Sequence, residues 1–220
     1  ASLVADLQGA LHYAPAPCVE LAAVGDVMLG RLVAERMAEA STAYPFQGEG
    51  MQAFLSGADV AFANLEAPIS DRGTPRQKAY TFRAPPEAVE ALRFAGVDVV
   101  SLANNHCGDY GDVALLDTIE YLSEAGIVQV GAGRTITEAH EARVMDANGL
   151  RVAFLAYNQI GPQSFAAEED SPGCAFMDPD RMVRDVRDAL QQADLVAVSC
   201  HWGVEQSSRP TALQRSLAKT

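Results

Sequence analysis

The sequence predicts a layered α/β domain with mixed sheets, on three observations: short apolar runs alternate with amphipathic stretches, some runs are apolar throughout, and one pair is joined by Asn-Gly. Continuous apolar runs suit central strands covered on both faces. Asn148-Gly149, between Val144 and Val152, marks a hairpin, because a two-residue turn of this kind needs positive φ at both positions. That antiparallel element argues against a purely parallel, doubly wound sheet.

Taken in order, residues 1–17 read as a leader: a short Ala/Leu segment and then Ala14-Pro15-Ala16-Pro17, whose prolines favour extended chain over helix. A single domain is expected over 18–220, with no internal repeat and no low-complexity tract. Strands are expected at Val19 to Val24, Ala58 to Ala63, Val97 to Leu102, Ile127 to Val130, Ala142 to Met145, Arg151 to Ala156 and Leu195 to Cys200. Pro86 suits a first helical turn, Val89, Leu92 and Ala95 recur at helical spacing, and Gly96 supplies the stop. Asp112 to Ala125 carries Leu115, Ile119 and Leu122 on one face. Asp178 followed by Pro179 opens a helix with Met182, Val183, Val186, Ala189 and Leu190 as its apolar stripe. These stripes read as core packing. Gln159 to Phe176, with Gly, Pro and the run Glu168-Glu169-Asp170, reads as a surface loop, and a last helix is expected over Thr211 to Lys219.

Composition narrows the function classes. The chain has 220 residues, 49% hydrophobic and 20% charged, enough to bury a substantial core. Its net charge of −13 opposes a broad nucleic-acid or anionic-membrane surface and leaves room only for a local basic pocket. No apolar run approaches the roughly 20 residues that span a bilayer, and no signal peptide is visible, so the chain as given is expected to be soluble. Cys18, Cys107, Cys174 and Cys200 form no C-x-x-C pair, which excludes a zinc ribbon and leaves the redox compartment open.

The chemistry is sought where apolar strands run directly into polar residues, since ligands in open α/β sheets lie beyond the carboxyl ends of strands. The first such place is Val24-Gly25-Asp26-Val27-Met28-Leu29-Gly30-Arg31. Asp26 offers a hard anionic metal ligand or a turn cap, and Arg31 can pair bidentately with phosphate or carboxylate. In Asn64-Leu65-Glu66-Ala67-Pro68, alternation sends Asn64 and Glu66 to one face, as ligands or as turn chemistry, with Glu66 the better ligand. Asn104-Asn105-His106 follows the third strand, and amide oxygen and imidazole nitrogen both bind metals. Cys107 beside them reads as a small buried residue. His201 follows the last apolar strand, with Cys200 pointing the opposite way into the core. Together Asp, Glu, Asn and His suit a divalent Mn, Fe or Zn. G-x-S-x-G, H-E-x-x-H and G-x-G-x-x-G are all absent, which argues against a serine-nucleophile hydrolase, a zincin and a Rossmann domain.

In order and spacing, Gly25-Asp26-Val27-Met28-Leu29-Gly30-Arg31, Asn64-Leu65-Glu66, Ser101-Leu102-Ala103-Asn104-Asn105-His106 and His201-Trp202-Gly203-Val204-Glu205 resemble the bacterial capsule-synthesis CapA family, also called the poly-gamma-glutamate synthesis proteins. The resemblance covers roughly residues 19 to 218. It implies a branch of the calcineurin-like metallophosphoesterases: a four-layer α/β/β/α sandwich with a dinuclear site at the strand ends. By position, Asp26 resembles the first-strand metal ligand, Glu66 the bridging carboxylate, Asn105 the amide ligand, His106 the histidine that assists phosphate chemistry, and His201 a later ligand. Arg31, Asn64 and Asn104 are expected on the substrate side. Met28 stands where the wider superfamily has a histidine, and the family pattern continues into a Gly-His-x-x-His segment beyond Thr220. The domain as given is therefore expected to lack its C-terminal part and to bind metal weakly. The resemblance implies an anionic polymer or phosphoester as substrate, capsule-synthesis proteins as partners, and a cell-surface place reached through an anchor outside this chain. The alternative it leaves is a non-catalytic module that binds an anionic polymer or its synthase.

Overall fold

The computed structural model describes residues 17–41, 43–48 and 50–219. The leader expected over 1–17 thus lies, apart from Pro17, outside the described residues. In chain order the elements are β1 (Leu21–Val27), α1 (Arg31–Glu39), α2 (Met51–Ser56), β2 (Val60–Leu65), α3 (Ala88–Ala95), β3 (Val99–Ser101), α4 (Asp112–Glu124), β4 (Val128–Val130), β5 (Ala132–Gly133), α5 (Ile136–Ala139), β6 (Arg143–Ala147), β7 (Leu150–Asn158), a 3-10 turn (Gln163–Phe165), β8 (Gly173–Cys174), α6 (Pro179–Ala189), β9 (Leu195–His201) and α7 (Ala212–Leu217).

Two main sheets result. The first is fully parallel, in the order β1-β2-β3-β4. The second is mixed: β6 and β7 form the expected hairpin, with Asn148 at φ 49° and Gly149 at φ 79°, and β9 adds in parallel to β7 after the α6 crossover. The sheets meet face to face, and Phe62 of β2 stacks on Phe154 of β7 at 6.1 Å between ring centroids.

Alternation along the strands assigns the remaining layers. On β7, Val152, Phe154 and Ala156 join the core between the sheets, whereas Ala153, Leu155 and Tyr157 pack with Met182 and Ala189 of α6. On the other side, Ala88, Ala91, Leu92 and Ala95 of α3 and Leu115 and Leu122 of α4 are buried with the first sheet. Helices therefore flank two apposed sheets, which is the α/β/β/α sandwich. α6 starts as its sequence directs, with the Asp178 carboxylate accepting from the Arg181 N–H at 2.9 Å and Pro179 at the first helical position.

The differences from expectation are local. α1, α2 and α5 arise where no apolar stripe announces them; α1 buries Met37 and α2 buries Leu55. Gln159 to Phe176 is not only a surface loop: Phe165, Ala167, Gly173 and Cys174 are buried, and β8 pairs antiparallel with β5. Its acidic run 168–170 is exposed as expected. Gly131 turns the chain between β4 and β5 at φ 83°, where an added Cβ would lie 2.7 Å from that of Ala103 and 2.8 Å from that of Ala156.

Candidate metal centre

Three strand ends deliver polar side chains into the crevice between the sheets. On β1 this depends on a bulge. Ala23 pairs with Phe62, and the next pairs are Asp26 with Asn64 and Val27 with Leu65, so β1 carries one extra residue. In an unbulged strand Asp26 would face Leu65 and the helices; with the bulge it shares the inner face with Asn64. Glu66 continues that face, its N–H donating to the Val27 carbonyl at 2.9 Å. From the opposite sheet β9 runs in unbroken register with β7, Ala197 beside Phe154 and His201 beside Asn158, which puts His201 on the inner face. Cys200 packs on the outer side, and burial pushes its thiol up to about 11.

Ligand atoms of Asp26, Glu66 and His201 lie within 4.8 Å of one another. Asn64 ties them together: its Nδ2 donates to Asp26 Oδ1 at 2.7 Å and lies 3.2 Å from His201 Nδ1. His201 Nε2 sits 2.8 Å from Asn105 Oδ1 and 3.5 Å from Glu66 Oε1. Asn105 therefore faces the same point as the three ionisable groups. Burial, followed by the Asp26 charge, raises the Glu66 carboxyl to about 7. Burial also lowers His201, outweighing the attraction of Asp26. A carboxyl held up and an imidazole held down, both chiefly by burial, mark a desolvated site that offers neutral nitrogen and hard oxygen donors, which suits a divalent cation.

Asn104 and His106 belong to the loop after β3. Asn104 is sealed from solvent; its Nδ2 donates to Asn64 Oδ1 at 3.1 Å and to the Leu65 carbonyl at 2.9 Å, while its Oδ1 accepts from the His106 N–H at 3.0 Å. Asn64 and Asn104 thus brace the centre from below and do not line the cleft. His106 Nε2 points toward Glu66, 3.9 Å from Oε1, and its Nδ1 lies 2.6 Å from Asp109 Oδ2. Met28 does not reach the centre: its Sδ accepts from the Gly30 N–H at 3.2 Å.

The segment 71–83 closes one wall. It is pinned at its neck by the Ile69–Ala84 bridge and at its base by Arg72, which pairs with Asp117 and holds that carboxyl below the ordinary range. The cleft it encloses has a volume of about 750 Å³, with Asp26, Glu66, His106, Glu205, Tyr80 and Phe82 among its lining. Arg31 stands outside that lining, its guanidinium 6.0 Å from the Tyr80 ring centroid and 5.8 Å from that of Phe82. Sequence reasoning missed Asp109 and Lys78, both drawn into the His106 loop from outside the quoted ligand set. Asp109 had a signal, a carboxylate three residues after a histidine; Lys78 had none.

A model of the family described as bacterial capsule synthesis protein PGA_cap matches residues 20–220. The chain belongs to this family. It is 34% identical over 204 residues to the capsule biosynthesis protein CapA of Bacillus anthracis, covering 89% of this chain and 49% of that protein. It is 29% identical over 199 residues to the PGA biosynthesis protein CapA of Bacillus subtilis, covering 89% of this chain and 52% of that one. A probable polyglutamine synthesis accessory protein of Mycobacterium tuberculosis is 35% identical over 164 residues, covering 66% and 41% of the two chains. The chain thus spans about half the length of the curated relatives it matches. The paired sheets and flanking helices of this capsule-synthesis family member are metallophosphoesterase-like. Among the described residues no helix is long and apolar enough to cross a membrane.

Proposed function

We propose that this domain is a metal-dependent phosphoester hydrolase acting in the synthesis of an anionic cell-surface polymer. The observation that carries the reading is the convergence of Asp26, Glu66 and His201, delivered from both sheets, on one point beside a cleft that Asp26 and Glu66 line. Those three residues with Asn105 would hold a divalent ion, Mn, Fe or Zn by the donor set. When bound, such an ion supplies Lewis-acid polarisation of a phosphoryl oxygen and activation of water. His106 faces the cleft through Nε2 and gives its proton to the leaving oxygen. Arg31, at the lip, meets the anionic remainder of the substrate. The kinship to capsule and polyglutamate synthesis proteins supports a place beside such proteins at the cell surface.

One observation favours a second reading. Met28 turns its sulfur to a backbone N–H, so the first strand contributes Asp26 as a ligand without a neighbouring histidine. In that reading the domain is a non-catalytic module that holds an anionic polymer or its synthase, and the mycobacterial relative is itself named an accessory protein. The experiment is hydrolysis of an aryl phosphate with added Mn, alongside metal quantification, for the parent and for Asp26→Ala. A parent rate well above that of Asp26→Ala, with Mn retained only by the parent, supports the hydrolase. Equal rates overturn it and leave the binding module.

A further inference from the structure

We propose that Cys107 and Cys174 are a disulfide-forming pair, and that the bond staples the segment 159–176 to the loop that carries Asn105 and His106. Both are free thiols in this structure, buried in the same apolar cluster. Cys107 follows His106 in the loop after β3, and Cys174 ends β8. Loop and segment pack closely on each other. Cys174 Sγ donates to the Asn104 carbonyl at 3.8 Å, and Gly108 lies so near the Phe165 ring that an added Cβ would come within 2.8 Å of it. Cys107 and Gly173 share the lining of a cavity of about 10 Å³. The two thiols are themselves in contact: a hydrogen bond with Cys174, and then burial, push the Cys107 thiol well above its usual range. Bonding asks the sulfurs to close from that contact to about 2.0 Å.

The position of the segment gives the bond a purpose. β8 pairs with β5 over only two residues, yet Gly161, Pro162, Ser164 and Phe165 form part of the cleft wall. A link between residues 67 positions apart removes much of the freedom of the unfolded chain. Cys18, ahead of β1, is exposed, and Cys200 packs on the outer side of the second sheet, so neither meets this pair. The oxidant is another disulfide, and the reaction is exchange. One cysteine thiolate attacks a sulfur of the oxidant and expels a thiolate; the second attacks the sulfur of the first and expels the other. Two electrons pass to the oxidant, and the two cysteine protons end on the two expelled thiols. Buried and protonated, Cys107 is inert in the folded protein, so exchange takes place while the chain folds. The cell-surface place proposed above provides oxidising surroundings. The pairing itself depends on neither metal nor hydrolysis, so its failure leaves both readings of the function untouched.

The test refolds the reduced, unfolded full chain at low concentration in a mixture of oxidised and reduced glutathione. Remaining thiols are alkylated in denaturant, and peptides are mapped by mass spectrometry. Two of the four thiols are expected to be lost, with one peptide pair joined through Cys107 and Cys174 and separated by dithiothreitol. The oxidised protein is expected to unfold about 10 °C above the reduced one. Four free thiols, glutathione left on either cysteine, or a bond to Cys18 or Cys200 overturns the pairing. A bond between Cys107 and Cys174 that leaves the thermal midpoint unchanged or lowers it overturns the staple. Should the chain not refold, the same mapping on protein secreted through an oxidising compartment decides between these outcomes.

Discussion

Glu66→Gln tests the electrostatics of the centre without any assay of activity. In the metal-free protein, burial and Asp26 raise this carboxyl from 4.5 to about 7. A folded pKa above the unfolded one means that the native state binds the extra proton. Stability is therefore complete below pH 4.5 and is lost progressively up to about pH 7, above which the cost is constant. At 1.36 kcal/mol per pH unit the shift corresponds to about 3 kcal/mol, and water in the open cleft reduces this to about 1–2 kcal/mol. Glutamine keeps the shape and removes the charge. In chelator-treated protein at pH 8, denaturant unfolding of Glu66→Gln should show an unfolding free energy raised by that amount, with no gain at pH 4.5. Saturating Mn should reverse the order, because a cation bound by the native state stabilises the parent and Gln is the poorer ligand. A variant less stable than the parent at pH 8 without metal would refute the account of Glu66 as a charge held at a cost.

Two further outcomes concern the scaffold. Phe154→Ala removes the ring that stacks on Phe62 between the sheets and should cost about 3–5 kcal/mol in urea unfolding. Gly131→Ala forces a Cβ into Ala103 and Ala156 at positive φ and should cost about 2 kcal/mol, read as a fall in thermal midpoint; a neutral result would show that β5 and the β3 loop separate freely.

Much of the fold was legible because burial on both faces leaves a plain mark: the apolar runs at Ala58 to Ala63 and Arg151 to Ala156 overlap β2 and β7, while the run Leu195 to Cys200 overlaps β9, where Leu195 and Val198 are exposed. Helices α3, α4 and α6 announced themselves by apolar stripes; those of α3 and α4 are largely buried, whereas α6 buries Met182 and Ala189 and leaves Leu190 exposed. α1 escaped notice because Met37 is its buried residue and Gly30 offers no capping side chain. The stretch 159–176 was misread from its polarity, since its few apolar residues, Phe165 and Cys174 among them, are the ones that fix it to the core. At the centre, Asp26, Glu66, Asn105, His106 and His201 were visible as polar residues ending strands. Lys78 reaches Asp109 across 31 positions from a segment without regular structure, a proximity that no local pattern encodes.

The charge of the chain takes on a sharper meaning at this cleft. A net −13 opposes a polyanion in general, and Asp26, Glu66 and Glu205 bring that opposition into the lining itself. The nearby cations do not offset it freely. Lys78 is committed to Asp109 and Arg76 lies 3.5 Å from Asp112, while Arg31 rests over aromatic rings at the lip. The Glu66 carboxyl is raised first by burial and then by the Asp26 charge beside it, so the lining carries an unmet demand for positive charge. Such a cleft attracts a small cation more readily than an anion. An anionic substrate gains a favourable field there only once that demand has been met, so cation affinity is a precondition of anion affinity in either proposed role.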